Sequence, residues 1–178
     1  MESIVKTRSK IFINIEIVSS MSKTSEETKN YYDGIAKGYP ELYHQEQEEK
    51  ISLVISNLPT KGSLLDLGSG AGVLNSFLSS NLSLVTSFDL SQELLNLNSN
   101  KEKNKIQGDI CNLPFENNSY DCICSFTVIQ DVYNIEKAFQ EIVRVLKPQG
   151  KLIISFLKRS KNRELIETLI KKSFEIEK

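Results

Sequence analysis

Histidine occurs once in these 178 residues, cysteine three times and tryptophan not at all. The single histidine, His44, and the three cysteines, Cys111, Cys122 and Cys124, contain no C-x-x-C pair and no even set. That leaves neither a ligand set for structural zinc nor a disulfide framework. No metal is expected, and reduced thiols in a cytoplasmic protein are the simple reading. Long apolar runs are also missing, because a membrane helix needs about 20 such residues. The most apolar N-terminal segment, residues 11–18, is interrupted by Asn14 and Glu16 and lacks the small-residue cleavage site of a signal peptide. Nor is there an excess of either charge. Lys and Arg number 22 against 23 Asp and Glu, so nothing draws the whole chain to nucleic acid or to an anionic membrane.

What is present fits one domain with a proper core, since 39% of the chain is apolar. The chain is organised around Leu64-Leu65-Asp66-Leu67-Gly68-Ser69-Gly70-Ala71-Gly72. Leu64, Leu65 and Leu67 predict a short buried strand, which the glycines break. Val73 to Leu78 then has helical spacing, so strand, glycine turn and helix make the first half of a βαβ unit. The crevice at such a turn is where open α/β sheets bind small ligands.

The spacing selects the ligand. A dinucleotide fingerprint, G-x-G-x-x-G counted from Gly68 and Gly70, needs a third glycine at 73, where Val73 stands. The third glycine is Gly72 instead, and Asp66 ends the strand two residues before the first. A carboxylate facing the loop repels a pyrophosphate and attracts an ammonium group. The pattern Asp-x-Gly-x-Gly-x-Gly therefore favours a ligand with an amino-acid head over NAD.

Residues 66–72 resemble motif I of class I S-adenosylmethionine (SAM) dependent methyltransferases. Further segments resemble the same family in the same order. They are Gly108-Asp109-Ile110, then Leu113-Pro114-Phe115 with Tyr120-Asp121, and Leu146-Lys147-Pro148-Gln149-Gly150 leading into an apolar strand. Two departures stand out: Tyr120 replaces a phenylalanine and Gln149 replaces the usual first glycine. The second change is tolerable if Gln149 keeps a negative φ. Tyr32 to Tyr39 is similar to the family's Tyr-Asp-x-Ile-Ala-x-x-Tyr segment, which forms a partial lid; packing of the helix pair on the domain is the other reading of these tyrosines. The resemblance covers about residues 31–156. It implies a Rossmann-like α/β fold, a mainly parallel sheet with helices on both faces, and SAM as cofactor. The C-terminal antiparallel hairpin that the family normally adds is expected to be missing or only begun, for Ser173 to Lys178 starts a strand and stops.

The elements expected along the chain follow from local signals. Ile11, Ile13, Ile15 and Ile17 alternate as a strand does. Residues 1–20 form an N-terminal extension, either an edge strand covering an exposed sheet edge, within the chain or on a second copy, or disordered. Met21 is an alternative start. Residues 21–178 form the domain, with a helical lid over 25–58. The lid is one helix capped by Thr24 or Ser25 and carrying Tyr39, a bend at Gly38-Tyr39-Pro40, and a second helix from about Gln45 to Asn57 that buries Ile51, Val54, Ile55 and Leu58.

Asp89 ends a second strand about twenty residues past the glycine loop, where an acid can accept both ribose hydroxyls. Its other reading is a helix cap made together with Ser91. The resemblance assigns Asp66, Gly68 and Gly70 to the methionine end of SAM, Asp89 and Leu90 to the ribose, and Asp109 and Ile110 to the adenine. Phe126 and Tyr39 complete the pocket.

The acceptor leaves no such signature. The loop Phe126 to Asp131 lacks the Asn/Asp-Pro-Pro-Tyr/Phe of enzymes that methylate amide or exocyclic nitrogens, and no Pro-Cys supplies a nucleophile. By the resemblance, Gln130 and Asp131 stand where relatives often carry histidines or other polar residues facing the acceptor; Asp131 is the candidate general base, and a solvated loop acid is its simpler reading. His44 and the basic cluster Lys158, Arg159, Lys161 and Arg163 read more simply as solvated surface, although the cluster could meet an RNA backbone. Transfer of a methyl group from SAM to a small molecule is the expected function. A SAM-binding non-catalytic or partner-dependent subunit, RNA methylation and homo-oligomerisation through a sheet edge remain as alternatives.

Overall fold

The computed structural model describes residues 10–15, 24–99 and 104–174. The expected second half of the first strand, the start at Met21 and residues 175–178 lie outside the described residues. Six strands build one sheet: β1 (Lys10–Ile15), β2 (Gly62–Leu67), β3 (Leu82–Asp89), β4 (Asn104–Gln107), β5 (Tyr120–Phe126) and β6 (Leu146–Leu157). Their order is β1-β6-β5-β2-β3-β4, and every pairing is parallel. At the edge, β1 runs beside β6 from Lys10 opposite Leu152 to Ile15 opposite Leu157. The helices are α1 (Ser25–Ile35), α2 (Tyr39–Ser52), α3 (Gln92–Leu97), α4 (Ile135–Val145) and α5 (Arg163–Ser173).

Helices on both faces follow from the strand sequences. The central strands are apolar at nearly every position, as a parallel sheet covered on both sides requires. Successive residues face opposite ways. Leu65, Leu67, Ile123, Leu152 and Ile154 pack with Ala138, Phe139 and Ile142 of α4 and with Ile166 and Ile170 of α5. Their neighbours Leu64, Cys122, Cys124 and Ile153 pack on the other face with Ile51, Val54 and Leu58. Leu64, Leu65 and Leu67 are fully buried, and each such burial is worth about 1.5–3 kcal/mol. The cysteines are small core residues. Tyr120 is tolerated in the core because its hydroxyl donates to Thr86 Oγ1 at 3.0 Å.

Four local expectations need correction. The helix after the glycine loop is only a 3₁₀ turn, Val73–Phe77. Ser76 Oγ bonds back to the Val73 carbonyl and Asn75 Nδ2 bonds to Asn98, so side chains compete with an α-helical ladder. The second lid helix starts at Tyr39, not Gln45, because Pro40 fits a first helical turn. Tyr39 thus belongs to that second helix, which ends at Ser52 and leaves Ile55 52% exposed. Gln149 has φ +63°, against the expected negative value, and occupies the conformation the usual glycine would take. The Thr24 cap is present as a capping box with Glu27.

Among the described residues no helix is long and apolar enough to cross a membrane.

Candidate functional site

The chain runs from β2 outward to β4, then returns to β5 and β6 on the other side of β2. The strand order therefore reverses between β2 and β5, the point where such sheets open a crevice at their carboxyl ends. A cleft enclosing about 1050 Å³, part of it open to solvent, lies there. Its walls come from the ends of β2, β3, β4 and β5 and from α1 and α2 above them.

The glycine loop is hung from the end of β3. The N–H groups of Gly68 and Ser69 both donate to the Phe88 carbonyl, at 2.7 and 3.1 Å. Gly68 has φ +73° and abuts Val128 so closely that a Cβ would lie 2.2 Å from its Cγ2. Gly70 has φ +51° but only Tyr39 within reach, at 3.8 Å from where a Cβ would sit, so the space beside it is open to a ligand. Asp66 is 3% exposed at the end of β2, where burying a carboxylate is costly.

Asp89 is the hinge of the arrangement. One carboxylate oxygen accepts the Gly70 N–H and the other the Ser91 N–H, both at 2.8 Å. Burial raises its pKa, and the backbone N–H bonds oppose that rise. Ser91 Oγ meanwhile caps α3 by accepting the Leu94 N–H. The two readings of Asp89 are compatible, because a carboxylate offers about four lone-pair sites and the Gly70 and Ser91 N–H groups do not fill them.

Asp109 lies just past β4. Its carboxylate accepts the Cys111 N–H at 2.8 Å and the Ser25 hydroxyl at 3.0 Å, which ties the start of α1 across the cleft. A second tie joins Ser91 Oγ to Asp33 of α1, which also pairs with Lys29. Tyr32 and Tyr39 line the cleft beneath these helices, with ring centroids 6.2 Å apart.

Asp66, Gly68, Gly70, Asp89, Leu90, Asp109, Ile110, Phe126, Tyr39 and Asp131 all line this one cleft. Gln130, by contrast, is 3% exposed and turned into the protein. Its side chain donates to the Thr127 carbonyl and to Asp131 and accepts the Leu157 N–H, so it fixes the loop and does not face an acceptor. His44 is half-exposed on α2 near Glu48, away from the cleft. Lys158, Arg159, Lys161 and Arg163 do not line it either, and Arg163 pairs with Glu167.

Sequence reasoning passed over Lys50. It is 1% exposed, pairs with Glu46, and donates to Thr127 Oγ1 at 2.7 Å. No motif marks it, and only its place among Ile51 and Val54 hints at burial. The latches through Ser25, Asp33 and Ser91 were equally silent, being polar residues in a polar stretch.

The profile of a family described as "Methyltransferase domain" matches residues 65–154. An uncharacterized protein of Methanocaldococcus jannaschii is 30% identical over 149 residues, covering 82% of this chain and 58% of that protein. A demethylmenaquinone methyltransferase of Corynebacterium glutamicum is 28% identical over 92 residues, 52% of this chain and 40% of its own. Among solved structures, a candidate S-adenosyl-L-methionine-dependent methyltransferase of Methanococcus maripaludis is 27% identical, with TM-score 0.53, covering 86% of this chain and 72% of that one. The chain spans about half the length of the curated relatives it matches.

Proposed function

The chain belongs to the methyltransferase-domain family, and from that premise we propose that the cleft binds SAM and that the protein transfers its methyl group to a small-molecule acceptor. The observation that carries this reading is the convergence of Asp66, the open glycine at 70, Asp89 and Asp109 on one crevice. The residues present suit the group. Gly70 leaves room at the loop, Asp89 keeps acceptor capacity for a hydroxyl donor, and Ser69 Oγ is buried with no hydrogen-bond partner among the described residues.

Asp66 and the loop at Gly68 and Gly70 would hold the methionine end, the carboxylate by attraction for an ammonium group. Asp89 with Leu90 would take the ribose hydroxyls, and Asp109 with Ile110 the adenine. Phe126 and Tyr39 would close the apolar sides. When bound, SAM supplies a methyl group on a sulfonium that leaves readily. The protein's own work is then orientation and exclusion of water, and α1 and α2 already roof the cleft for that purpose. NAD is disfavoured by Val73 in the third glycine position and by the buried Asp66 beside the loop.

Titration of the protein with SAM, S-adenosylhomocysteine and NADH tests the reading directly. Saturable binding of the first two and none of the third is expected. Preference for NADH would overturn it.

A further inference from the structure

Four carboxylates line the cleft, those of Asp66, Asp89, Asp109 and Asp131, and among the described lining residues there is no lysine, arginine or histidine. The first three sit at the ends of β2, β3 and β4, where the SAM reading uses them. Asp131 stands apart, past the end of β5, in the turn Ile129–Asp131.

That turn is rigidly set. Gln130 Nε2 donates to Asp131 Oδ2 at 3.2 Å and to the Thr127 carbonyl at 3.0 Å. Gln130 Oε1 accepts the Leu157 N–H, and its backbone carbonyl accepts from Asn162. Asp131 is therefore presented to the cleft by a loop with little freedom.

Tyr32 lines the same cleft from α1. Burial first, and the charge of Asp131 next, push its hydroxyl far above the usual phenol range, so it remains an uncharged donor. Its ring meets Tyr39 edge-on, with centroids 6.2 Å apart, and Tyr39 meets Tyr43 at 4.8 Å. The Tyr32 ring and the Asp131 carboxylate thus both line the cleft, and the cofactor assignment uses neither of them. Aromatic faces attract cations, and carboxylates bind them by charge-assisted hydrogen bonds. A phosphate or carboxylate entering here would meet acids with no cation lining the cleft to offset them.

We propose that the acceptor is an amine, held at Asp131 and against the ring of Tyr32, and that acceptors bearing phosphate or carboxylate at this end are rejected. This rests on the SAM reading of the same cleft. Before the transfer, the bound ammonium gives one proton to the Asp131 carboxylate, which passes it to water. The nitrogen lone pair so freed then forms a bond to the methyl carbon as the carbon–sulfur bond breaks, its electron pair remaining on sulfur, and the product leaves as the N-methylated ammonium.

The test is equilibrium titration of the full chain with a panel of aliphatic and aryl amines. Each amine is paired with the carboxylic acid and the alcohol of the same skeleton, and S-adenosylhomocysteine is present at saturation. The tightest amine should bind at least about tenfold better than its acid. Asp131→Asn should weaken that amine by about tenfold to a hundredfold with S-adenosylhomocysteine still bound, and Asp131→Lys should turn the preference toward acids. Tyr32→Leu provides a second variant on another element and should weaken the amine several-fold. No amine preferred over its acid, or a preference unmoved by these variants, overturns the proposal. Failure of S-adenosylhomocysteine to bind overturns the SAM reading and this one with it, whereas its binding without any amine preference overturns this one alone.

Discussion

Lys50 of α2 and Thr127 beyond β5 are joined by a 2.7 Å hydrogen bond from the lysine ammonium to the threonine hydroxyl. Thr127 has φ +62°, a conformation that a β-branched residue rarely adopts and that costs about 1–3 kcal/mol. Its N–H is also tied to the Ser155 carbonyl and hydroxyl, so the strained loop is held from both sides. Lys50 is thus the link between a lid helix and the floor of the cleft.

Replacing it should loosen that link. Lys50→Met keeps much of the stem but strands Glu46 and Thr127. Breaking a fully buried ion pair costs about 3–5 kcal/mol. Glu46 keeps 23% of its side chain in solvent, so a loss of about 2 kcal/mol in urea unfolding is expected here. A change under about 0.5 kcal/mol, typical of a surface substitution, would mean that the bond contributes nothing to the fold.

Gln149 offers the opposite case. It sits at φ +63° and is exposed, so its side chain brings strain without buried contact to offset it. Relief of the left-handed conformation is worth about 1–2 kcal/mol, while the extra freedom of glycine in the unfolded chain takes back about 0.5–1 kcal/mol. Gln149→Gly should therefore stabilise the protein by about 0.5–1 kcal/mol, seen as a higher melting temperature. A lower one would refute the strain.

These two residues also show what could be read without coordinates. Hydrophobic runs and glycine spacing announce themselves locally, which is why β2, β3, β6 and the cleft residues at 66–70, 89 and 109 were legible. Asp131 was found only as one of two polar residues in a loop, and its partner Gln130 was misjudged because inward rotation of a side chain leaves no trace in spacing. Lys50 was invisible because its burial depends on a contact 77 positions away. The sign of φ at Gln149 was set by the turn it completes, which overrode what its side chain prefers.

Asp121 predicts the acid limb of the stability curve. Burial pushes its carboxyl upward, but the Ser63 N–H at 2.8 Å, the Lys147 ammonium at 2.9 Å and the Ser63 hydroxyl outweigh this and bring it down to about 2. A folded pKa below the unfolded value of 3.8 means that the unfolded chain binds the proton more readily. The contribution is then complete above about pH 4 and is lost as pH falls through 2. With 43% of the side chain exposed, screening limits it to about 1 kcal/mol. Urea midpoints between pH 5 and 2 should fall less steeply in Asp121→Asn than in the parent. Parallel curves would show that Asp121 is not responsible.

Asp89 carries the strongest claim on the cofactor. Its two oxygens hold the Gly70 and Ser91 N–H groups, so the same carboxylate shapes the glycine loop, abuts the cap of α3 and faces the cleft. Asp89→Ala would collapse all of these at once, and its effect on binding would be confounded with the fold. Asp89→Asn is the sharper variant, because its amide oxygen can still accept one backbone N–H while its NH₂ repels a hydroxyl donor. SAM affinity should fall by about 1–3 kcal/mol, the cost of donors left unpaired, or roughly 5- to 150-fold in Kd. Alanine should show at least that loss together with a lower unfolding midpoint. If asparagine leaves SAM affinity intact while the fold is unchanged, the ribose lies elsewhere and Asp89 serves only to hold the loop.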